Sequence, residues 1–157
     1  MARTVAKVHG LQDLKKRMEA LSSDVAKKIA FSATLAAANV IKKQAIRNAA
    51  AMASKAPHMV YPDQKSGRNG VLATPGNLSR NVIVKRRSAA KQTANYVVTA
   101  RSGEKAAYAY MYGLFLEEGT VKMSPKPWLR PAFESAKQDA ANQMIKVLER
   151  RIMRAEK

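Results

Sequence analysis

The chain has 157 residues, enough for one domain with a real core and too few for two comfortable ones. It is 46% hydrophobic but only 6% aromatic, with alanine supplying much of the apolar total, which predicts long helices rather than a thick sandwich core. A formal charge of +18, from 29 Lys+Arg against 11 Asp+Glu, makes copies repel unless acidic partners or counterions intervene, and the lack of cysteine excludes disulfides, thiolate nucleophiles and cysteine-based metal sites.

Residues 1–10 form a short basic lead with no apolar core of signal-peptide length, and no run in the chain approaches a membrane span. The expectation is a protein made and assembled in the cytoplasm, with no membrane partner. Leu11, Leu14, Met18 and Leu21 then recur at helical steps opposite Lys15, Lys16, Arg17 and Glu19, an amphipathic helix. Ser22, Ser23 and Asp24 supply the side-chain oxygens of a break and a new cap.

A long helix follows over residues 25–54, with Val25, Ile29, Leu35, Val40, Ile41 and Ile46 among many alanines, and Pro57 ends it. Ala36, Ala37, Ala38 and Ala49, Ala50, Ala51 are either surfaces for close helix contact or simply the best helix formers. Residues 57–75 carry prolines, glycines and basic residues without periodicity and read as a long, flexible loop. The basic field is concentrated in mid-chain, since Asp63 is the only acid between Asp24 and Glu104.

Gly76, Asn77 and Leu78 open a strand that continues through Val82, Ile83 and Val84 and turns basic at Lys85, Arg86 and Arg87. Tyr96, Val97, Val98 and Thr99 make a second strand, and the two are expected to pair as an antiparallel hairpin. Tyr108, Tyr110 and Tyr112 alternate as in a strand, but Tyr108, Met111, Tyr112 and Phe115 also fall at helical spacing. Gly119, where a helix-ending glycine belongs, favours a short helix over residues 106–118.

Residues 112–134, YGLFLEEGTVKMSPKPWLRPAFE, are the most conformationally restricted part of the chain. Gly119 can take the left-handed conformation, Pro125 and Pro127 hold the segment extended, and Pro131 suits the first turn of a new helix. The pattern is helix, stop, proline-rich hook, helix, with Trp128 and Phe133 expected to anchor the hook and the last helix in the core. The last helix covers about residues 131–153, with Phe133, Ala136, Ala140, Met144, Val147, Leu148 and Ile152 on one side.

Catalytic chemistry has little to converge on. His9 and His58 have no partner at ligand spacing, and the glycines of SGRNG lack the strand and helix of a phosphate loop. Glu117 and Glu118 are adjacent and point in different directions, so one is expected to pair with a basic neighbour and the other to face solvent. No metal or cofactor is implied and an enzyme is not expected. Lys65, Arg68, Lys85, Arg86 and Arg87 are candidates for contact with DNA or with an acidic partner, since phosphate neutralisation needs only clustered charge.

Taken together, GLQDLKKRMEAL, the alanine- and lysine-rich helix ending at AP, GNLSRNVIV and the 112–134 segment resemble the tail-completion or head-to-tail joining proteins of long-tailed bacteriophages, also called neck or minor tail proteins. Gly76, Asn77 and Leu78 match the family's strand opening. Phe115, Leu116, Glu117, Glu118, Gly119 and Thr120 match its next motif, with Glu118 where an aromatic is more usual. Pro125, Lys126, Pro127, Trp128, Leu129, Arg130, Pro131, Ala132 and Phe133 match its proline motif, with Trp128 replacing phenylalanine. The loop 58–72 is longer than the family's connection.

The resemblance implies a non-enzymatic virion protein, a homo-oligomeric ring, six-fold, between tail-terminator or tail-tube proteins and the head connector; the rigid hook itself reads as a structural lock or subunit contact. The expected fold is α+β: long N-terminal helix, small antiparallel sheet, short helix, proline-rich hook and C-terminal helix, in a single domain over 1–157. A basic protein binding DNA without sequence choice is the alternative from another class, a tail terminator the alternative within the same neck, and a tail-associated hydrolase the third reading.

Overall fold

A computed structural model describes residues 11–53, 58–60, 71–87, 94–103, 106 and 108–156. In chain order the elements are α1 (Leu11–Glu19), α2 (Ser23–Ala51), β1 (His58–Val60), β2 (Val71–Ala73), α3 (Asn77–Arg80), β3 (Val82–Arg86), β4 (Tyr96–Ala100), α4 (Ala109–Glu118) and α5 (Leu129–Ala155). The fold is α+β, with two separate two-stranded sheets, β1–β2 and β3–β4. Backbone hydrogen bonds from Arg87 to Asn95 and from Arg101 to Asn81 set β3 and β4 antiparallel.

The chain divides into two compact units. One takes the residues up to Ile41, Val84–Val97 and those from Ala136 on; the other takes Lys42–Ile83 and Val98–Ser135. The first unit's core is Leu14, Ile29, Ala33, Val147, Leu148 and Ile152, with Met18, Leu21 and Met144 packed against it. The apolar stripe of α1 is therefore covered, as its period requires. Arg17 of α1 donates from Nε and Nη2 to both carboxylate oxygens of Glu156 at 2.9 and 2.6 Å, pinning the end of the chain to α1.

That hydrogen bond from Arg17 holds the Glu156 carboxyl below its usual range and raises the guanidinium. Because the folded carboxyl titrates lower than the unfolded one, its contribution is full above the ordinary carboxylate range and is lost as pH falls through the lowered value. Glu156→Gln is therefore expected to lower the melting temperature slightly at neutral pH and not in acid. Thermal melts of the two proteins across the acid range check this; a gap that stays constant would overturn it.

The second unit's core is Ala45, Ala49, Leu78, Val82, Ala100, Ala106, Ala109, Leu116, Trp128 and Ala132. One indole stands among alanines, and the small side chains of α2 and α5 are what let the elements close on it. Of the alanines singled out in α2, Ala38 and Ala49 are buried while Ala50 and Ala51 face solvent.

Three sequence expectations change. Phe133 is 50% exposed and anchors nothing in the core, whereas Trp128 is 3% exposed. The buried face of α5 advances through Ala132, Ala136 and Ala140 at four-residue steps, which leaves Phe133 about 100° around the helix from Ala132. Leu78 does not open a strand. Gly76 turns the chain at φ 74°, Asn81 Nδ2 donates to both the carbonyl and the side-chain oxygen of Asn77 at 2.9 Å, and the segment closes into α3 with Leu78 buried. Within the segment read as loop, His58–Val60 pairs antiparallel with Val71–Ala73, His58 opposite Ala73. The flexibility expected over 61–70, like the basic lead 1–10, lies outside the described residues.

Candidate functional site

The hook is built against the end of α4. Gly119 ends that helix at φ 79°, its N–H donating to the Phe115 carbonyl at 2.9 Å. A Cβ on Gly119 would lie 2.8 Å from the Met123 carbonyl oxygen and 2.9 Å from Pro125 Cδ, so both the backbone angle and the packing call for glycine. Thr120 and Met123 exchange backbone hydrogen bonds of 2.8 and 3.1 Å around Val121 and Lys122, and the Lys126 N–H returns to the Leu116 carbonyl at 2.7 Å. Pro125 and Pro127 are exposed and hold the return extended.

Helix α5 then starts without a cap of its own, because Lys126, Pro127 and Trp128 offer no Ser, Thr, Asp or Asn. Glu117 of α4 supplies it. Its Oε2 accepts the backbone N–H groups of Trp128 and Leu129, each at 2.8 Å, and its Oε1 accepts that of Arg130 at 2.9 Å. A helix start leaves four N–H groups without intrahelical partners. One carboxylate takes three of them, and the fourth position is Pro131, which has none.

The indole completes the lock. Trp128 Nε1 donates to the Gly113 carbonyl at 2.9 Å, its own carbonyl accepts from Asn48 Nδ2 at 3.0 Å, and Gln44 holds Asn48 from the turn before. A Cβ on Gly113 would stand 3.2 Å from Trp128 Cζ2 and 3.0 Å from Leu78 Cδ1, so the glycine in mid-helix makes the space that the ring fills. Leu129 packs against the same core.

Glu118 pairs with Arg130 at 3.3 Å on the surface, the basic partner expected for one of the two carboxylates. The other, Glu117, caps a helix rather than facing solvent. A carboxylate committed to three backbone donors is placed to hold structure, and no group of three or more His, Cys, Asp or Glu that could hold a metal occurs among the described residues.

The opposite side of α4 is open. Tyr110, Met111, Leu114 and Phe115 are between 38% and 44% exposed, and their spacing sets them on one helix face. Ala109, Gly113 and Leu116 on the other face are buried. Helix α4 is thus apolar all round but covered on one side only. Val121 at the tip of the Thr120–Met123 turn and Phe133 add exposed apolar side chains. An exposed apolar helix face of this kind is a candidate interaction surface.

Of the basic candidates, Lys85, Arg86 and Arg87 are exposed. The Arg86 guanidinium lies 3.9 Å over the Phe31 ring, whose edge meets Tyr96 at 85°, so part of its surface is engaged within the fold. Lys65 and Arg68 lie outside the described residues. The sequence reading missed another basic row, Lys146, Arg150 and Arg154, exposed at four-residue steps along α5. It also missed Gly113 and the capping role of Glu117. The signals were present, a glycine inside an apolar helix and a helix start with no cap.

No described helix is long and apolar enough to cross a membrane. The sequence pattern of the family described as "Bacteriophage HK97-gp10, putative tail-component" matches residues 12–119, from α1 to the glycine that ends α4. The proline motif and α5 follow after the matched region. No curated protein and no solved structure matches the chain.

Proposed function

Since this chain belongs to the HK97-gp10-like family of bacteriophage tail components, we propose that it is a structural virion protein that completes the tail and joins it to the head connector as one subunit of a six-fold ring. The observation that carries this reading is the open apolar face of α4. That face is backed by a lock of prolines, a capped helix and a buried indole, which makes it rigid enough to present to a neighbour. Assembly takes place in the host cytoplasm, and the neighbours along the axis are the tail-tube or tail-terminator protein and the connector.

Mass photometry and negative-stain microscopy of the protein, alone and with tail-tube and connector proteins, are expected to give rings. A monomer under every condition would overturn the reading.

Contact with passing DNA, without sequence preference, is a second role favoured by the charge of +18 and by the row Lys146, Arg150 and Arg154, whose heads recur about every 6 Å along the helix. Retention on a DNA column that moderate salt abolishes, with no ring formed, would make this the principal role instead.

A further inference from the structure

We infer that Arg86, seated on the ring of Phe31, is the fixed phosphate-binding group of a DNA contact built by the first turns of α2 and the end of β3. The inference rests on the DNA-contact reading above and gives it a site on residues other than the α5 row.

Three elements of one compact unit make the cluster. The Arg86 guanidinium of β3 lies 3.9 Å from the centre of the Phe31 ring of α2, and that ring meets Tyr96 of β4 edge-on, with centroids 6.4 Å apart. Both rings are half-buried and Arg86 is exposed, so the aromatic pair is the seat and the cation faces water. Attraction to the ring holds a guanidinium without engaging its N–H groups in hydrogen bonds to oxygen. Among the described residues Arg86 forms no ion pair and donates no hydrogen bond. Its planar fork of donors is therefore held in place and open to an outside oxyanion, the geometry that suits a phosphate.

The surroundings are of one sign. Lys85 and Arg87 flank Arg86 and are exposed, and alternation along the strand sends them to its other face. One turn before Phe31, α2 carries Lys27 and Lys28, also exposed, of which Lys27 pairs with Asp24 at 3.9 Å. The connection from β3 to β4 adds Lys91 and no acid. Outside the described residues the chain holds only two acids, Asp63 and Glu104. An interface with a specific protein sets both signs and an apolar centre against its partner. Clustered cations around one ordered arginine suit instead a line of phosphates, which needs no matching pattern of charges.

Fluorescence anisotropy with labelled duplexes of unrelated sequence, over a salt series, reads affinity and its salt slope together. Arg86→Gln is expected to weaken binding to every duplex alike and to lower the slope by about one. Arg86→Lys keeps the charge and the slope but loses the fork, so affinity alone falls. Phe31→Leu also keeps every charge, and it too is expected to weaken binding at an unchanged slope. Melting temperatures check that this half-buried position tolerates leucine; where it does not, the two substitutions at exposed Arg86 decide. Lys122→Gln removes an equal charge from the turn after α4 and serves as the control.

If the unsubstituted protein binds no duplex even at low salt, the DNA reading fails and this site with it. If it binds, and Arg86→Gln loses no more than Lys122→Gln, the site is overturned while DNA contact stands. Affinity unchanged in both Arg86→Lys and a stably folded Phe31→Leu would overturn the ordered fork, leaving only diffuse charge. Displacement of the duplex by polyglutamate at equal charge concentration would assign the cluster to an acidic protein instead.

Discussion

Trp128→Ala is expected to destabilise the protein by about 3–5 kcal/mol, the range for removing a large aromatic from a packed core. For a chain of this size that lowers the melting temperature by roughly 10 °C. The indole is 3% exposed, touches the space that Gly113 leaves open and donates to the Gly113 carbonyl at 2.9 Å. The elements around it contribute mainly alanines, Ala45, Ala49, Ala109 and Ala132, which are too short to reach into the space left behind. Little collapse is available, so the cavity term should lie towards the high end. Phe133→Ala is the matched control: with that ring half in solvent, a loss under about 1 kcal/mol is expected. Urea denaturation of both variants checks the pair, and equal losses would show that the indole is not the anchor.

Glu117→Ala should cost about 2–4 kcal/mol, because one substitution removes the acceptor of three backbone N–H groups at the start of α5. The negative charge also faces the positive end of a 27-residue helix, a favourable placement that alanine cannot replace. Glu117→Gln keeps an oxygen for part of the set and should fall between alanine and the unsubstituted protein. Glu118→Gln, which breaks only the exposed pair with Arg130, should cost no more than about 1 kcal/mol. Denaturant midpoints at constant slope separate the two positions. If neighbouring carboxylates gave the same loss, the capping assignment would fall.

Much of the fold follows from local rules. The stripe of Leu14, Met18 and Leu21 predicts the buried side of α1, Gly119 predicts the end of α4, and Pro131 predicts a helix start within two residues of Leu129. The strand expected at Leu78 fails for a local reason too. Asn77 and Asn81 bond to each other across one turn, and that choice between helix and strand depends on side-chain hydrogen bonds that an apolar count does not register.

The candidate site divides along the same line. By itself the sequence determined that residues 112–134 have few ways to fold and that α4 is largely apolar, because glycine, proline and hydrophobicity act through the chain's own backbone and composition. Only the tertiary structure decided which apolar face of α4 is covered. Tyr110, Met111, Leu114 and Phe115 are as hydrophobic as the residues opposite them, and what leaves them open is that Leu78 and Trp128 lie against Gly113 on the other side. The role of Glu117 has the same origin. A carboxylate's partners are set by where another helix begins in space, and that position depends on the hook, the indole and Asn48 acting together.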